Sequence, residues 1–382
     1  MPGIRPLLKL SFAVGNALHL GATGFHAVNL TIHAANTLLV YLLLASRHRA
    51  AATLAALIFA VAPVQTEAVT YVSGRSTSLA ALFALASLLA WTRGRPWLSS
   101  ALFAVSLLVK EFTIVVPVAI LLWEATSETR RPLRPLLAHA GVVLLAAVIA
   151  AASPTYRHLA ATSWATRSPL ANLAAQSHAI PYLTRQVVRP DLLNADPALS
   201  PSVAWDAFGV FSALAILALL VYTLLRLRRH PVASFGILWF FLWIAPTNSL
   251  LARLDVVNDR QVYVALIGPA WIAGYLAARL LRSEARVAIA ALALAFLLGT
   301  ATHARNQVYL SETAFWEDVT RKSPGNARAF NNLGYAYGLV HRDAEAERAL
   351  RRALEIDPDY VRAAVNLKLL RAGALTDAPK KP

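Results

Sequence analysis

The chain has no cysteine and a single methionine. It therefore has no disulfide, no thiolate zinc site and no cysteine nucleophile, and any chemistry must rest on other side chains. Acids are scarce as well, 20 Asp and Glu against 36 Lys and Arg, for a formal net charge of +16. None occurs before Glu67. The opening MPGIRPLLKL lacks a secretory signal with a small-residue cleavage site, so insertion would rely on internal helices. The positive charge does not read as a nucleic-acid footprint, because the arginines stand in short clusters between apolar blocks and not along one continuous face.

Apolar residues are what the chain has in excess. They make up 57% of its 382 residues, with a mean hydropathy of +0.53, more than one soluble core could hide. Polar punctuation divides them into blocks near the ~20 residues that a helix needs to cross ~30 Å of hydrocarbon. Ten membrane segments are expected, at roughly 25 to 45, 50 to 64, 77 to 92, 96 to 109, 112 to 124, 136 to 152, 206 to 226, 231 to 247, 262 to 281 and 286 to 303. Those near 50 to 64, 96 to 109 and 112 to 124 are short for a full crossing and read as tilted, broken or re-entrant. The fold class is all-α: a polytopic bundle over 1–304, a soluble helical module over 305–375, and a polar tail at 376–382.

Alternation places five basic connections on one side: Arg47 and Arg49; Arg93 and Arg95; Arg130, Arg131 and Arg134; Arg226, Arg228 and Arg229; Arg282 and Arg286. The positive-inside rule makes that side cytoplasmic. The loop around Gln65 to Ser76, the Lys110-Glu111 pair, the long loop of about 153–205, the loop from Thr247 to Arg260 and everything after about His303 then face outward. This count also puts residues 1 to 24 outside, with nothing before them to carry them across. The expectation is that a first helix precedes this sequence.

From Asn326 the pattern becomes amphipathic. Phe330, Leu333, Gly334, Tyr337, Ala346, Leu350, Ala353 and Pro358 fall at the spacings of a 34-residue tetratricopeptide unit. Gly334 and Ala346 permit close helix approach, the larger residues fill between, and Pro358 ends the second helix. A shift back by 34 lands on Pro324 and Trp316, and a shift forward on Ala364 and Leu367, so partial repeats flank the unit.

Polar groups beside apolar helices are costly unless paired or facing a wet cavity, so they are the site candidates. His26, Asn29 and His33 share one helix face by their i, i+3, i+7 spacing; an interhelical hydrogen-bonded stripe is the plainer reading, and no third ligand for zinc is evident. Glu67 and Arg75 lie in an outward loop, where a guanidinium could clamp phosphate and a carboxylate orient or deprotonate a hydroxyl; a structural ion pair is the alternative. Lys110-Glu111 is a second outward pair, or a snorkelling boundary pair. Arg157, His158, Gln176, His178 and Arg185 line the long outward loop, and Asp259-Arg260 precedes QVYVALIGPAW. Such a basic set beside the bilayer suits an anionic headgroup or lipid phosphate.

Read in order, RPLLKLSF, FHAVNLTIHAANTLLVYLLL, APVQTEAVTYVSGRSTSLAALFALASLLAW, LLVKEFTIVVPVAILL, PTNSLLARLDVVNDRQVYVALIGPAW and TAFWEDVTRKSPGNARAFNNLGYAYG resemble the transmembrane and tetratricopeptide repeat-containing O-mannosyltransferase family and its bacterial relatives. Nearly the whole chain is covered, and QTEAVTYVSGRS and VKE are the most specific parts. The resemblance implies a C-type glycosyltransferase membrane fold, a polyprenyl-phosphate sugar donor, and transfer to a protein, peptide or other acceptor on the non-cytoplasmic face. It also implies an acidic outward loop after a first helix, holding a divalent metal or acting as base. No acid precedes Glu67, and a misassigned start would account for both the missing loop and the missing helix. The carboxylates left as catalytic candidates are Glu67, Glu111 and Asp259, with Arg75, Lys110 and Arg260 to steady the departing phosphate and His26 and His33 as further substrate contacts. The alternative is a catalytically inactive membrane-anchored scaffold that binds a protein partner through the repeat. A transporter would lead one to expect internal repeats in the membrane half, and none is seen. Alanine- and arginine-rich usage leans towards a bacterial inner membrane with the repeat in the periplasm.

Overall fold

The computed structural model describes residues 4–128, 131–199, 205–250, 252–253 and 255–375; Arg130 of the third basic cluster and the polar tail 376–382 lie outside the described residues. Every regular element among these residues is a helix. In lipid the backbone has no water to bond to, so each apolar segment must satisfy its own N–H and C=O groups. Pro6, Pro96, Pro154, Pro169 and Pro231 open their helices, where the missing N–H has no intrahelical partner to lose, whereas Pro181 stands inside Pro169–Val188.

Ten membrane segments are expected, three of them short and tilted, broken or re-entrant, and the helices vary in the same way. Among the described residues, four helices are long and apolar enough by length and composition to cross a bilayer: Ala22–Ala45, Val72–Thr92, Ala207–Leu225 and Glu284–Gln307. Arg49–Val61 bends by 51° into Pro63–Val69, and Leu136–Ala152 by 81° into Pro154–Thr166, which raises the number to six if each bent pair is one span. Pro96–Val109, Pro231–Ile244 and Ile267–Leu281 are shorter apolar helices. The expected segment at 112 to 124 divides into a 3₁₀ turn, Glu111–Val115, and the helix Val116–Ala125. Residues 1 to 24, expected as an outside segment without an assigned element, contain the helix Pro6–Ala17.

The described residues form two compact units, one of residues up to 190 and from 205 to 302, the other of 191–199 and 303–375. In the first, Val72–Thr92 is the most buried of the long helices, whereas Ala207–Leu225 and Glu284–Gln307 leave Phe211, Leu214, Leu292 and Phe296 exposed, as lipid-facing helices do. Small residues set the closest crossings. A Cβ on Gly268 would lie 2.1 Å from the Gly236 carbonyl oxygen, and one on Gly274 2.5 Å from that of Ala51. Leu8 of Pro6–Ala17 is wholly buried in a cluster with Ala80 and Val109, which fixes the N-terminal helix on the bundle.

Basic connections gather at one end of this unit. Arg47 donates to the Trp123 carbonyl at 2.9 Å and the Ser127 hydroxyl at 2.9 Å, with its guanidinium 3.8 Å from the Trp123 ring and 4.9 Å from that of Phe235. Glu124 accepts from the Trp91 indole and the Arg131 backbone N–H, both at 2.8 Å, and Arg131 donates to the Thr92 carbonyl. His48 meets Tyr275 edge-on at 5.7 Å. The connections following Ala45, Thr92 and Ala125 are thereby brought together, beside the first turns of Pro231–Ile244 and the later turns of Ile267–Leu281.

In the second unit, Ala327–Leu339 and Asp343–Ile356 form the central pair, with Glu312–Lys322 packed on the first and Val361–Arg371 on the second. A Cβ on Gly334 would lie 2.6 Å from Leu350 Cγ, and Leu350, Ala353 and Ala363 form a buried cluster against Phe330, Tyr360 and Leu367. Leu333 and Ala346 are buried, Tyr337 is half-buried with its hydroxyl donating to Glu317, and Pro358 sits exposed in the turn after Ile356. Buried Asp318 accepts from Arg305 at 2.8 Å, Arg321 at 2.5 Å and Lys322 at 2.9 Å. The segment 191–199 belongs here: Asn194 donates to the Ser323 hydroxyl at 2.8 Å and Asp196 accepts from Arg328 at 3.0 Å.

Filling the tightest helix crossing should separate those helices. Gly268→Leu is expected to cost about 1 to 3 kcal/mol or more by overpacking and to lower the thermal midpoint in detergent, whereas Gly141→Leu, where a Cβ meets nothing within 4 Å, leaves it unchanged.

Candidate functional site

The end of the first unit away from the basic connections holds a cavity of about 310 Å³. Four cations line it, Arg5, Lys110, Arg253 and Arg260, with Ser73, Ser76 and Thr77 from the start of one helix and a single carboxylate, Asp255, among the described residues. The 18-residue helix Arg75–Thr92 runs between the two ends, a rise of about 27 Å at 1.5 Å per residue.

Local sequence accounts for each placement. The helix beginning at Arg75 follows Gly74, where a Cβ would lie 2.5 Å from the Glu67 carbonyl oxygen and 2.7 Å from that of Ala68, so only glycine lets the loop fold back so closely. Its first turn brings the positive end of the helix dipole and the Ser76 and Thr77 hydroxyls to the cavity wall. Lys110 leaves Pro96–Val109 in extended conformation and directs its ammonium to Thr77 Oγ1 at 2.7 Å and Ser76 Oγ at 3.3 Å. The loop 247–260 is held from the Pro169–Val188 helix and the residues before it. Arg167 donates to the Arg253 carbonyl at 2.6 Å, Asn172 to that of Ser249 at 2.5 Å, and Asn248 to Gln176 Oε1 at 2.8 Å. A capping box between Asn258 and Gln261 then starts the turn Asp259–Val262 that carries Arg260.

Three of the acids close on cations. Glu67, buried, accepts from Arg260 Nε at 2.8 Å and from its backbone N–H at 3.1 Å. Glu111 accepts from Arg5 Nη2 at 2.7 Å and from the Tyr156 hydroxyl at 2.9 Å. Asp255 stands by Arg253 and acts on it electrostatically. Lys110 differs: its partners are hydroxyls, and among the described residues no carboxylate lies within 4 Å of its ammonium. Burial first, then Arg260, Arg5 and Arg253, push this ammonium well below the ordinary lysine range, with Glu111 opposing them. Burial raises the Glu111 carboxyl, but Arg5 and Tyr156 outweigh it and hold the group below the usual carboxylate range. Four cations against Glu67, Glu111 and Asp255 leave one positive charge in excess when Lys110 is protonated, a setting that suits an anion.

The candidates from sequence divide accordingly. Lys110 and Arg260 line the cavity; Glu67 and Glu111 hold its cations from behind; Asp259 is buried in the turn before Arg260 and does not line it. Glu67 and Arg75 are not brought together. Arg75 is buried elsewhere, donating to Asn29 Oδ1 at 2.8 Å and the Phe25 carbonyl at 3.1 Å, 4.6 Å from the Phe12 ring, so it fastens the first two helices to its own. Asn29 and His33 share a buried face continued by Asn36, while His26 is exposed. His33 Nε2 lies 3.0 Å from the Ala60 carbonyl, which can only accept, so Nδ1 accepts from the Tyr263 hydroxyl at 2.8 Å; that hydroxyl accepts in turn from Asn36 at 3.0 Å. Arg5, Arg253, Asp255, Ser76 and Thr77 had not been singled out. Arg253 and Asp255 lie in the loop that also holds Asp259 and Arg260 and carried the same signal, a charge beside an apolar helix; Arg5 carried none.

No three His, Cys, Asp or Glu side chains gather at one point among the described residues, and a wall of four cations and one carboxylate does not suit a divalent metal.

Comparison with known proteins identifies the setting. The profile of Glycosyltransferase family 87 matches residues 6–251, well over half of the chain. The chain belongs to glycosyltransferase family 87. Its apolar helices make it an integral membrane member. The family 87 match includes Glu67, Lys110 and Glu111, while Arg5, Arg253, Asp255 and Arg260 fall outside it. Two curated proteins are similar at lower identity. Protein O-mannosyl-transferase F38B6.6 of Caenorhabditis elegans is 23% identical over 374 residues, covering 93% of this chain and 54% of that protein. Protein O-mannosyl-transferase Tmtc3 of Drosophila melanogaster is 26% identical over 461 residues, covering 95% of this chain and 49% of that protein. This family 87 chain thus spans about half the length of the curated relatives it matches. No solved structure matches it.

Lys110 must be protonated to attract an anion, and its proton is held less tightly than an ordinary lysine's. Binding of sulfate, an anion that does not itself titrate here, followed by calorimetry, is expected to weaken as pH rises through a range below the usual ~10.4. Lys110→Met should bind more weakly at neutral pH and lose this dependence.

Proposed function

We propose that the cavity receives the phosphate of a polyprenyl-phosphate-linked sugar and that the protein transfers the sugar to a hydroxyl of a protein, peptide or other acceptor on the non-cytoplasmic face. The observation that carries this reading is the Lys110 ammonium, bonded only to Ser76 and Thr77 beside a helix N-terminus in an otherwise neutralised cationic cavity. The names of the two curated relatives favour mannose as the sugar. Collection of basic connections at the other end supports a cytoplasmic assignment for that end by the positive-inside rule. The composition favours a bacterial inner membrane, with the cavity facing the periplasm.

In the reaction the acceptor oxygen bonds to the anomeric carbon as the bond from that carbon to the phosphate oxygen breaks. The phosphate leaves with the electron pair, its charge met by Lys110, Arg260 and the Ser76 and Thr77 hydroxyls. Asp255, the cavity's carboxylate, takes the acceptor proton. Glu67 and Glu111 keep Arg260 and Arg5 in place and are positioning residues. The helix pairs from 305 to 375 are read as a tetratricopeptide module that presents the acceptor, a reading supported by the close contact of Gly334 with Leu350 and by the 34-residue spacing.

Transfer from polyprenyl-phosphate mannose to a hydroxyl acceptor peptide in reconstituted vesicles tests the reading. Lys110→Met, Arg260→Gln and Asp255→Asn should each reduce turnover by about 10²-fold or more, the scale for losing a group that meets developing charge. His26→Ala, at an exposed position outside the cavity wall, should retain it. Undiminished turnover in all three cavity variants would sink the proposal.

A further inference from the structure

The helix Pro154–Thr166 has no buried residue, although it belongs to the apolar unit. It follows Leu136–Ala152 after one residue, Ser153, and turns from it by 81°. Leu136–Ala152 is apolar throughout apart from His139 and rises about 26 Å, close to the hydrocarbon thickness. If that helix stands along the bilayer normal, its end lies at the membrane surface. The next helix then runs nearly within the plane of that surface.

Its side chains divide around the axis in a way that suits this placement. At 100° per residue, Tyr156, Leu159, Ala160 and Ser163 share one edge and are the half-buried positions. Tyr156 pins this edge by donating to Glu111, which holds Arg5 at the cavity wall. One flank carries Arg157, Ala161 and Trp164, all exposed, Trp164 at 64%. The other carries Thr155, Thr162 and Thr166, also exposed. Tryptophan and arginine suit the interfacial layer, where the indole sits at headgroup level and the guanidinium reaches phosphate.

We propose that Pro154–Thr166 is an interfacial helix that rests its Arg157–Ala161–Trp164 flank on the bilayer, with Arg157 bound to the phosphate of an anionic lipid. The threonine flank faces water. Through Tyr156 and Glu111 the helix also ties the cavity wall to the level of the lipid headgroups, so the depth of the site is set by the membrane itself. The assignment stands without the transferase reading, because it rests on helix direction and side-chain distribution alone.

The absence of cysteine makes the test direct, since a single introduced thiol takes a single label. Nitroxides on Ala161→Cys and Thr162→Cys, neighbours at one depth along the helix but on opposite flanks, are compared in reconstituted full-length protein. The vesicles are phosphatidylcholine alone or phosphatidylcholine with phosphatidylglycerol. The label at 161 should collide with lipid-dissolved oxygen and be shielded from an aqueous nickel chelate, and the label at 162 should do the reverse. Equal exposure of both labels to the chelate, or burial of both in lipid, would overturn the interfacial placement. Phosphatidylglycerol should draw the 161 label deeper, and Arg157→Gln should abolish that difference; its persistence in the variant would overturn the arginine–phosphate contact.

Discussion

A charge withdrawn from water in an apolar bundle must meet a partner or a dipole, because desolvation of an isolated ion costs far more than any one packing contact returns. That constraint runs through the first unit. Arg75 is met by Asn29 and backbone carbonyls between two phenylalanine rings, Arg260 by Glu67, Arg5 by Glu111, and Glu124 by Trp91 and Arg131. These pairings join segments far apart in the chain and so decide how the helices assemble at both ends. Lys110 departs from the pattern, having hydroxyls for partners, and the cavity is built around it.

Close helix approach makes the arrangement possible. Gly236 and Gly268 let two helices cross with backbones in contact, and Gly274 seats against Ala51. Larger groups fill the space beside these close crossings: Trp239 is buried with its indole donating to the Val264 carbonyl, and Trp243 lines the cavity. The loop 247–260 is then set down on a polar row, in which Arg167 and Asn172 bond its backbone and Gln176 accepts from its Asn248 side chain, while Arg253, Asp255 and Arg260 line the cavity. Rigidity of the site thus comes from residues that do not face it.

Much of this was legible from residues alone. The apolar blocks marked the helices because a membrane demands uninterrupted hydrophobicity over a known length. Counting crossings was less secure: breaks at Pro63 and Ser153 and the division of 112 to 124 arise from turns whose cost is offset by neighbouring segments, and a hydropathy run cannot report them. Lys110 and Arg260 were found because a charge beside an apolar helix is costly wherever it points. Glu67 with Arg75 was misjudged as a pair because eight residues of separation was taken for proximity. A one-turn helix and a 3₁₀ turn intervene, so the two side chains leave in different directions.

The sequence by itself determined the all-helical class, the membrane setting and the places along the chain where arginines cluster. Each of these follows from local composition and from spacing within one helix. Tertiary structure alone decided which charge meets which. Arg5 finds Glu111 across 106 residues and Arg260 finds Glu67 across 193, while Asp255 reaches the cavity wall that Asp259 does not. Such partnerships depend on how helices cross and where loops are tied down, and no periodicity within a segment encodes them. The same holds for the helix after Ser153: its composition is ordinary, and only its 81° turn away from a span gives its exposed tryptophan and arginine a surface to meet.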